Sequence, residues 1–260
     1  MLEGDVVDTG KYSFDKLQMF FGEDYKIAEG IVISQPSIGD IMRYGEDKFY
    51  EMLNPFIINP TSMRVALWQQ NIDWTEISDY ELFYQLILQL KPTPEKTRML
   101  FGDLDFSKFN LYERQNEVDG EIVKDIVLLN QEQQVIIDEE VYSHIAYYLR
   151  TMFNIFPKVE RAKGKTTKKW MIEEDIENSK NKKPSESSLL PMISFCLNHP
   201  GFKYKKNELK DLGIVEFNDS VQRLLVYEST SSLMKGMYSG FVDTSKIDKK
   251  EFNFMRDFNS

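Results

Sequence analysis

Ser78-Asp79-Tyr80-Glu81-Leu82-Phe83-Tyr84-Gln85-Leu86-Ile87-Leu88-Gln89-Leu90 is the stretch that decides the fold class. Ser78 with Glu81 three residues on is a capping box, in which hydroxyl and carboxylate each satisfy an amide that a helix start leaves open. Leu82, Phe83, Leu86, Ile87 and Leu90 then trace one apolar face, and Pro92 and Pro94 stop the run. A helix greasy on one side must be covered by other elements, so its neighbours are read for matching faces. Upstream, Asn59-Pro60 opens a helix through Gln70, because Asn accepts from an early amide and Pro lacks the donor that would be orphaned there. Ser37 with Asp40 caps a helix on which Ile38, Ile41, Met42, Phe49, Met52 and Leu53 recur up to Pro55. Gly45 inside it costs about 1 kcal/mol relative to Ala. Ile27–Ile33 is predicted to be one short strand, and residues 1–26 are read as irregular structure or a short strand.

Downstream the period changes. Phe109–Gln115, Glu121–Asn130 and Gln133–Asp138 read as a three-stranded meander with turns at Asp119-Gly120 and Asn130-Gln131-Glu132. Asp138–Phe153 returns to helix, with Val141, Ile145, Tyr148, Leu149 and Met152 on one side. Pro157–Pro184 is rich in Lys and poor in aliphatic residues and is read as a solvated connector carrying a helix near Thr167–Ser179. Beyond it, helices are predicted over Ser185–Asn198, Glu208–Leu212 and Asn218–Glu228, with a turn or helix across Ser231–Met237. A last helix starts at Asp248, with Glu251 completing a capping box. The expected architecture is mainly α with a small antiparallel β insert (α+β), in two helical parts joined by a charged linker. Residues 1–156 form an N-terminal helical domain with the meander around 104–138, 157–184 the basic linker, and 185–260 a C-terminal helical region.

The chain has 260 residues, 42% hydrophobic and 28% charged, which is ordinary globular usage and excludes disorder throughout. Its 32 Lys and Arg against 42 Asp and Glu give −10, which argues against a protein that mainly coats nucleic acid. Cys196 is the single cysteine, so neither a disulfide framework nor a multi-thiolate zinc site can form, and an intracellular setting is expected. The acidic start lacks a secretory pattern, and the longest charge-free run, Ser187–Phe202, is interrupted by Pro191, His199 and Pro200. It falls short of the roughly 20 apolar residues of a spanning helix.

Reactive side chains are sparse. His144 lies in a predicted helix and reads as a packing or surface residue, and Cys196-x-x-His199 offers two ligands where structural zinc needs four. Gly164-Lys165-Thr166-Thr167 resembles the tail of a phosphate loop but has Val159 where the first glycine belongs. Asp103 and Asp105 pair two carboxylates, yet Lys108 and Arg114 occupy the calcium-loop positions that need Gly and Glu. No catalytic set, metal or cofactor is expected. Six cations between Lys158 and Lys169 face only Glu160, so Lys163, Lys165, Lys168 and Lys169 with Trp170 form a candidate nucleic-acid surface. A hydrated linker is the plainer reading of the same residues. Aromatics exceed core needs, and Trp68, Trp74, Phe252, Phe254 and Phe258 are candidate anchors for a protein partner.

Five segments carry a family resemblance. They are Ile38-Gly39-Asp40-Ile41-Met42-Arg43-Tyr44-Gly45-Glu46 with Phe49-Tyr50, Ser78-Asp79-Tyr80-Glu81-Leu82-Phe83, and Phe101-Gly102-Asp103-Leu104-Asp105-Phe106. The others are Asn198-His199-Pro200-Gly201-Phe202-Lys203-Tyr204, and Met237-Tyr238-Ser239-Gly240 with Asp243-Thr244-Ser245-Lys246-Ile247-Asp248. Together, from about Pro36 to Arg256, they resemble a family encoded among the virion-assembly genes of tailed bacteriophages of Gram-positive hosts, most like a tail assembly chaperone. The resemblance implies a non-enzymatic protein of the host cytoplasm that keeps the tape-measure protein dispersed until tail-tube subunits polymerise around it. It leaves room for a homo-oligomer, and for a structural virion component of neck, tail or baseplate as the alternative.

Overall fold

The computed structural model describes residues 12–118, 121–180, 186–240, 243, 245 and 247–256, with backbone alone at 116–118 and 121–123. It is mainly helical with two small antiparallel sheets. Asp15 caps α1 (Lys16–Phe20) by accepting from the Leu17 amide. The expected single strand is a hairpin: β1 (Tyr25–Ala28) and β2 (Ile31–Ile33) turn at Gly30, whose φ of 73° suits glycine. Both Ile31 and Ile33 are fully buried.

The Ser37/Asp40 box closes as expected on α2 (Ile38–Tyr44). Gly45 does not sit inside one long helix. With φ 95° it breaks the run and launches α3 (Glu46–Ile57) in a new direction. Nor does Pro55 end α3. Its missing donor costs about 3 kcal/mol, but continuing the helix buries Phe56 and Ile57, each contributing roughly 1.5–3 kcal/mol. Asn59 caps the 3₁₀ turn Pro60–Met63, which leads into α4 (Arg64–Gln69). The Ser78/Glu81 box opens α5 (Asp79–Leu90), and left-handed Lys91 ends it. Pro94 is more than a stop signal, since it takes the first turn of α6 (Pro94–Phe101), a helix the sequence reading missed.

The meander is present as β3 (Asn110–Val118), β4 (Glu121–Asn130) and β5 (Val135–Ile137) in the order β3-β4-β5. Its Asp119-Gly120 turn lies outside the described residues. Leu128 and Ile137 stand opposite each other and carry the buried side of the sheet. Asp138 caps α7 (Glu139–Phe153), which ends at left-handed Asn154. Arg150 of α7 donates to the carbonyls of Ile57 and Ile58 at the end of α3, and to Asp79 at the start of α5.

The C-terminal residues do not form a separate part. α9 (Leu189–Asn198) starts against Glu46 of α3, whose carboxylate accepts from Ser187, Ser188 and Leu189. α10 (Ile214–Tyr238) is one helix of 25 residues where two pieces were expected. The polar stretch that suggested a break stays helical because its hydroxyls serve the chain end. Buried Thr230 donates to the Glu251 carbonyl and accepts from Arg256, so it does not compete for helix backbone. Arg256 also takes the Glu251 carboxylate, which leaves Asp248 to cap only a 3₁₀ turn, Lys249–Phe252, in place of the expected last helix.

One buried cluster runs from Met19 through Phe49, Phe83 and Tyr148 to Phe217 and Leu224, so N- and C-terminal segments share a core. Backbone pairing seals the junction: Ile38 N–H donates to Leu212, and Ile214 N–H to Pro36. The segment expected to be a solvated linker is docked as well. Residues 158–160 run along the start of α4, with Asn59 donating to the Lys158 carbonyl, and α8 (Lys165–Lys180) lies on α4. Ala162 and Ile172 there join Leu67, Trp74 and Leu82 in a small second core.

Candidate functional site

Four helix segments converge on an open groove of about 650 Å³. Tyr50 of α3, Phe153 and Ile155 at the end of α7, Met192 of α9, and Val221 and Leu225 of α10 give it an apolar lining. Asn154, Asn218 and Gln222 add amides, and no charged side chain lines it. The walls are fixed by polar contacts at the groove's rim and beyond it. Partial burial pushes the Glu46 carboxyl up, but the hydrogen bonds from Ser187, Ser188 and Leu189 outweigh this and hold it below the usual carboxylate range. An ionised Glu46 therefore stands at the positive start of α9 and sets the direction of that helix. Burial pushes the Tyr50 phenol up, so it stays neutral and presents its ring. At the far end of α9, Nδ1 of His199 accepts from Gly201 N–H, which leaves Nε2 to donate to Glu228 of α10 at 3.0 Å. The Asn198–Tyr204 motif thus ties α9 to α10.

A second groove of about 660 Å³ lies among α5, the β3–β4 hairpin and the start of α7. Its middle is an ion network in which Arg114 reaches Asp125 at 2.5 Å and Asp138 at 2.9 Å. The hydrogen bond from Arg114 holds the Asp125 carboxyl below its ordinary range.

The structure separates the residues expected to bind partners. Trp74 is buried and Trp68 half-buried, stacked edge-on in the second core at 6.0 Å. Trp74 offers no surface, and Trp68 only part of its ring. Phe252 is half-buried, Phe254 is 42% exposed and packs on Tyr227, and Phe258 lies outside the described residues. The proposed nucleic-acid set also divides. Lys168 is buried, donating to Asp73 at 2.6 Å and Thr75 at 2.7 Å. Lys169 pairs with Glu173 at 3.7 Å, while Lys163, Lys165 and Trp170 are exposed.

The other sequence candidates have local structural roles. Asp103 pairs with exposed Arg98, and Asp105 caps the turn at Ser107. Cys196 is buried, which pushes its thiol up, and His144 meets the Tyr25 hydroxyl at 3.2 Å. No group of three or more His, Cys, Asp or Glu among the described residues could hold a metal ion. No helix among them is long and apolar enough to cross a membrane. The groove residues were missed because they come from four distant segments. One signal was present: the charge-free run Ser187–Phe202 contains α9, which forms one wall. Compared with protein families, curated proteins and solved structures, the chain matches none.

Proposed function

We propose that this chain is a non-enzymatic morphogenesis protein of a tailed bacteriophage, a tail assembly chaperone that binds an apolar helical segment of the tape-measure protein. The observation that carries this reading is the uncharged groove between α3, α7, α9 and α10, open at the surface of a chain with net charge −10. An amphipathic helix laid there hides its apolar face, and the acidic exterior keeps the complex dispersed. The family resemblance supplies the phage context. Exposed Leu190, Tyr227 and Met255 show that apolar surface is not confined to the groove, as suits a protein that works by contact.

Co-expression tests the reading. A tape-measure fragment is expected to gain soluble yield with this chain and to lose that gain with the groove variant M192E/V221E. Equal yield with and without the chain counts against it. Mass spectrometry of purified particles separates the alternative: a chaperone is missing from them, and a neck, tail or baseplate component is present at stoichiometric copy number.

A further inference from the structure

α8 is attached to the fold differently from the other long helices. Of its 16 residues only Lys168 and Ile172 are buried, whereas seven of the 15 in α7 are. Ile172, with Met171 and Ile176 beside it, packs on the second core, and polar pairs supply the rest of the attachment. Arg64 of α4, 10% exposed, grips Asp175 through Nε at 2.5 Å and Nη2 at 2.8 Å, and also pairs with Glu160. Lys168 reaches Asp73 at 2.6 Å. The carboxylates in these pairs are 27–43% exposed, so water and salt reach them and the pairs contribute modestly.

Beneath α8 lies a surface of the opposite character. Leu67, Trp74 and Leu82 are buried there, with Met63, Ile77 and Leu86 packed around them. The Trp74 indole N–H is buried and has no hydrogen-bond partner among the described residues. Lys168 lies 5.8 Å above that ring and, having no acceptor, cannot serve it. The resident helix therefore leaves one donor of its own seat unmet, which a polar group with a lone pair could satisfy. Lys168, Ile172 and Asp175, at i, i+4 and i+7, form the docked face.

We propose that the α4–α5 face is a second helix-binding site and that α8 is its exchangeable occupant. The partner it fits is an amphipathic helix with a cation, an aliphatic residue four positions later and a carboxylate three after that, plus an acceptor at the ring edge in line with the Trp74 indole N–H. The site shares no lining residue with the α3–α9–α10 groove, and it stands whether or not that groove binds a tape-measure segment.

A fluorescein-labelled peptide of residues 160–180 is the probe, read by anisotropy against the full chain. In the wild type the tethered α8 competes at an effective concentration of the order of mM. The variant K168E/D175A loosens α8 without altering the seat, so the peptide is expected to bind it at least about tenfold more tightly than wild type. Adding R64E should abolish that binding. Equal affinity for wild type and the double variant, or indifference to R64E, overturns the proposal. Hydrogen exchange on the unmutated chain is an independent arm: α8 amides should exchange about tenfold or more faster than those of α7, and faster still at about 1 M salt. Protection equal to α7 and insensitive to salt overturns the proposal without any variant.

Discussion

The side-chain carbonyl of Gln35 occupies the place that a β-carbon on residue 213 would take, since a Cβ built on Gly213 lies 2.1 Å from Gln35 Oε1. Gln35 cannot swing aside freely, because its amide donates to the Met19 carbonyl at 2.6 Å and its oxygen accepts from Val215 N–H at 3.2 Å. This junction holds the start of α10 against α1 and the entry to α2. Gly213→Ala must therefore break at least one of those bonds, at about 1 kcal/mol each plus any strain. Urea denaturation should show a loss of about 1–3 kcal/mol, and combining it with Gln35→Ala should cost less than the two single changes added. Gly39→Ala meets backbone instead, the Lys210 carbonyl at 2.7 Å, and its loss should not be relieved by any side-chain truncation.

Asn130 is fully buried at the end of β4. It donates to the Asp105 carbonyl at 3.1 Å and to Gln133 Oε1 at 2.8 Å, and accepts from Gln133 N–H at 3.1 Å. Asn130→Leu takes the donor from the Asp105 carbonyl and the acceptor from the Gln133 N–H, while Gln133 Oε1 keeps the Asp105 N–H, so the expected loss is about 1–3 kcal/mol in all. A melting-temperature drop much larger than that of Asp103→Asn, which touches only an exposed ion pair, is the expected calorimetric result.

Acid should weaken the packing around His144. Burial pushes its imidazole below the ordinary value of 6.5, against an opposing pull from Glu140. The Tyr12 ring stacks on it at 5.0 Å, and the Tyr25 hydroxyl faces Nε2. A depressed folded value means that the unfolded chain binds the proton more readily. Stability is therefore whole above about pH 6.5 and falls as pH drops through and below it. Urea midpoints between about pH 7.5 and 5 should decline in the wild type and decline less in His144→Phe. Loss from Glu46 belongs to a lower window, because its carboxyl is held below 4.5.

Of the four lysines singled out with Trp170, Lys168 is committed to Asp73 and Lys169 paired to Glu173, which leaves Lys163 and Lys165 as the exposed cations to test. Filter binding to single-stranded DNA should be weak and unchanged in K163E/K165E. A steep negative dependence on salt that these substitutions flatten would favour the nucleic-acid alternative.

The parts of the fold readable from sequence are those whose cause is local. Ser37 with Asp40, Ser78 with Glu81, and Asn59 before Pro60 each fix a helix start within four residues, and the structure has all three. The meander was equally legible from its change of period. What escaped depends on partners far along the chain. Nothing near Thr230 announces that Glu251 and Arg256 will occupy its hydroxyl and keep α10 whole. Lys168 and Asp175 looked solvated because Asp73 and Arg64, which neutralise them, lie 95 and 111 residues upstream. The groove was hidden for the same reason, though the uncharged α9 marked one side of it.

The pairing of Ile38 with Leu212 also sets a timetable for synthesis. These residues are separated by 174 positions, and at about 5–20 residues per second the ribosome needs on the order of 10–35 s to bridge them. Throughout that interval the Ile38 N–H has no Leu212 carbonyl to donate to, and for most of it Glu46 has no α9 to cap. The nascent protein must wait, greasy side out, for its last quarter. A chain cut within 157–184 would be halted permanently at that stage and should aggregate.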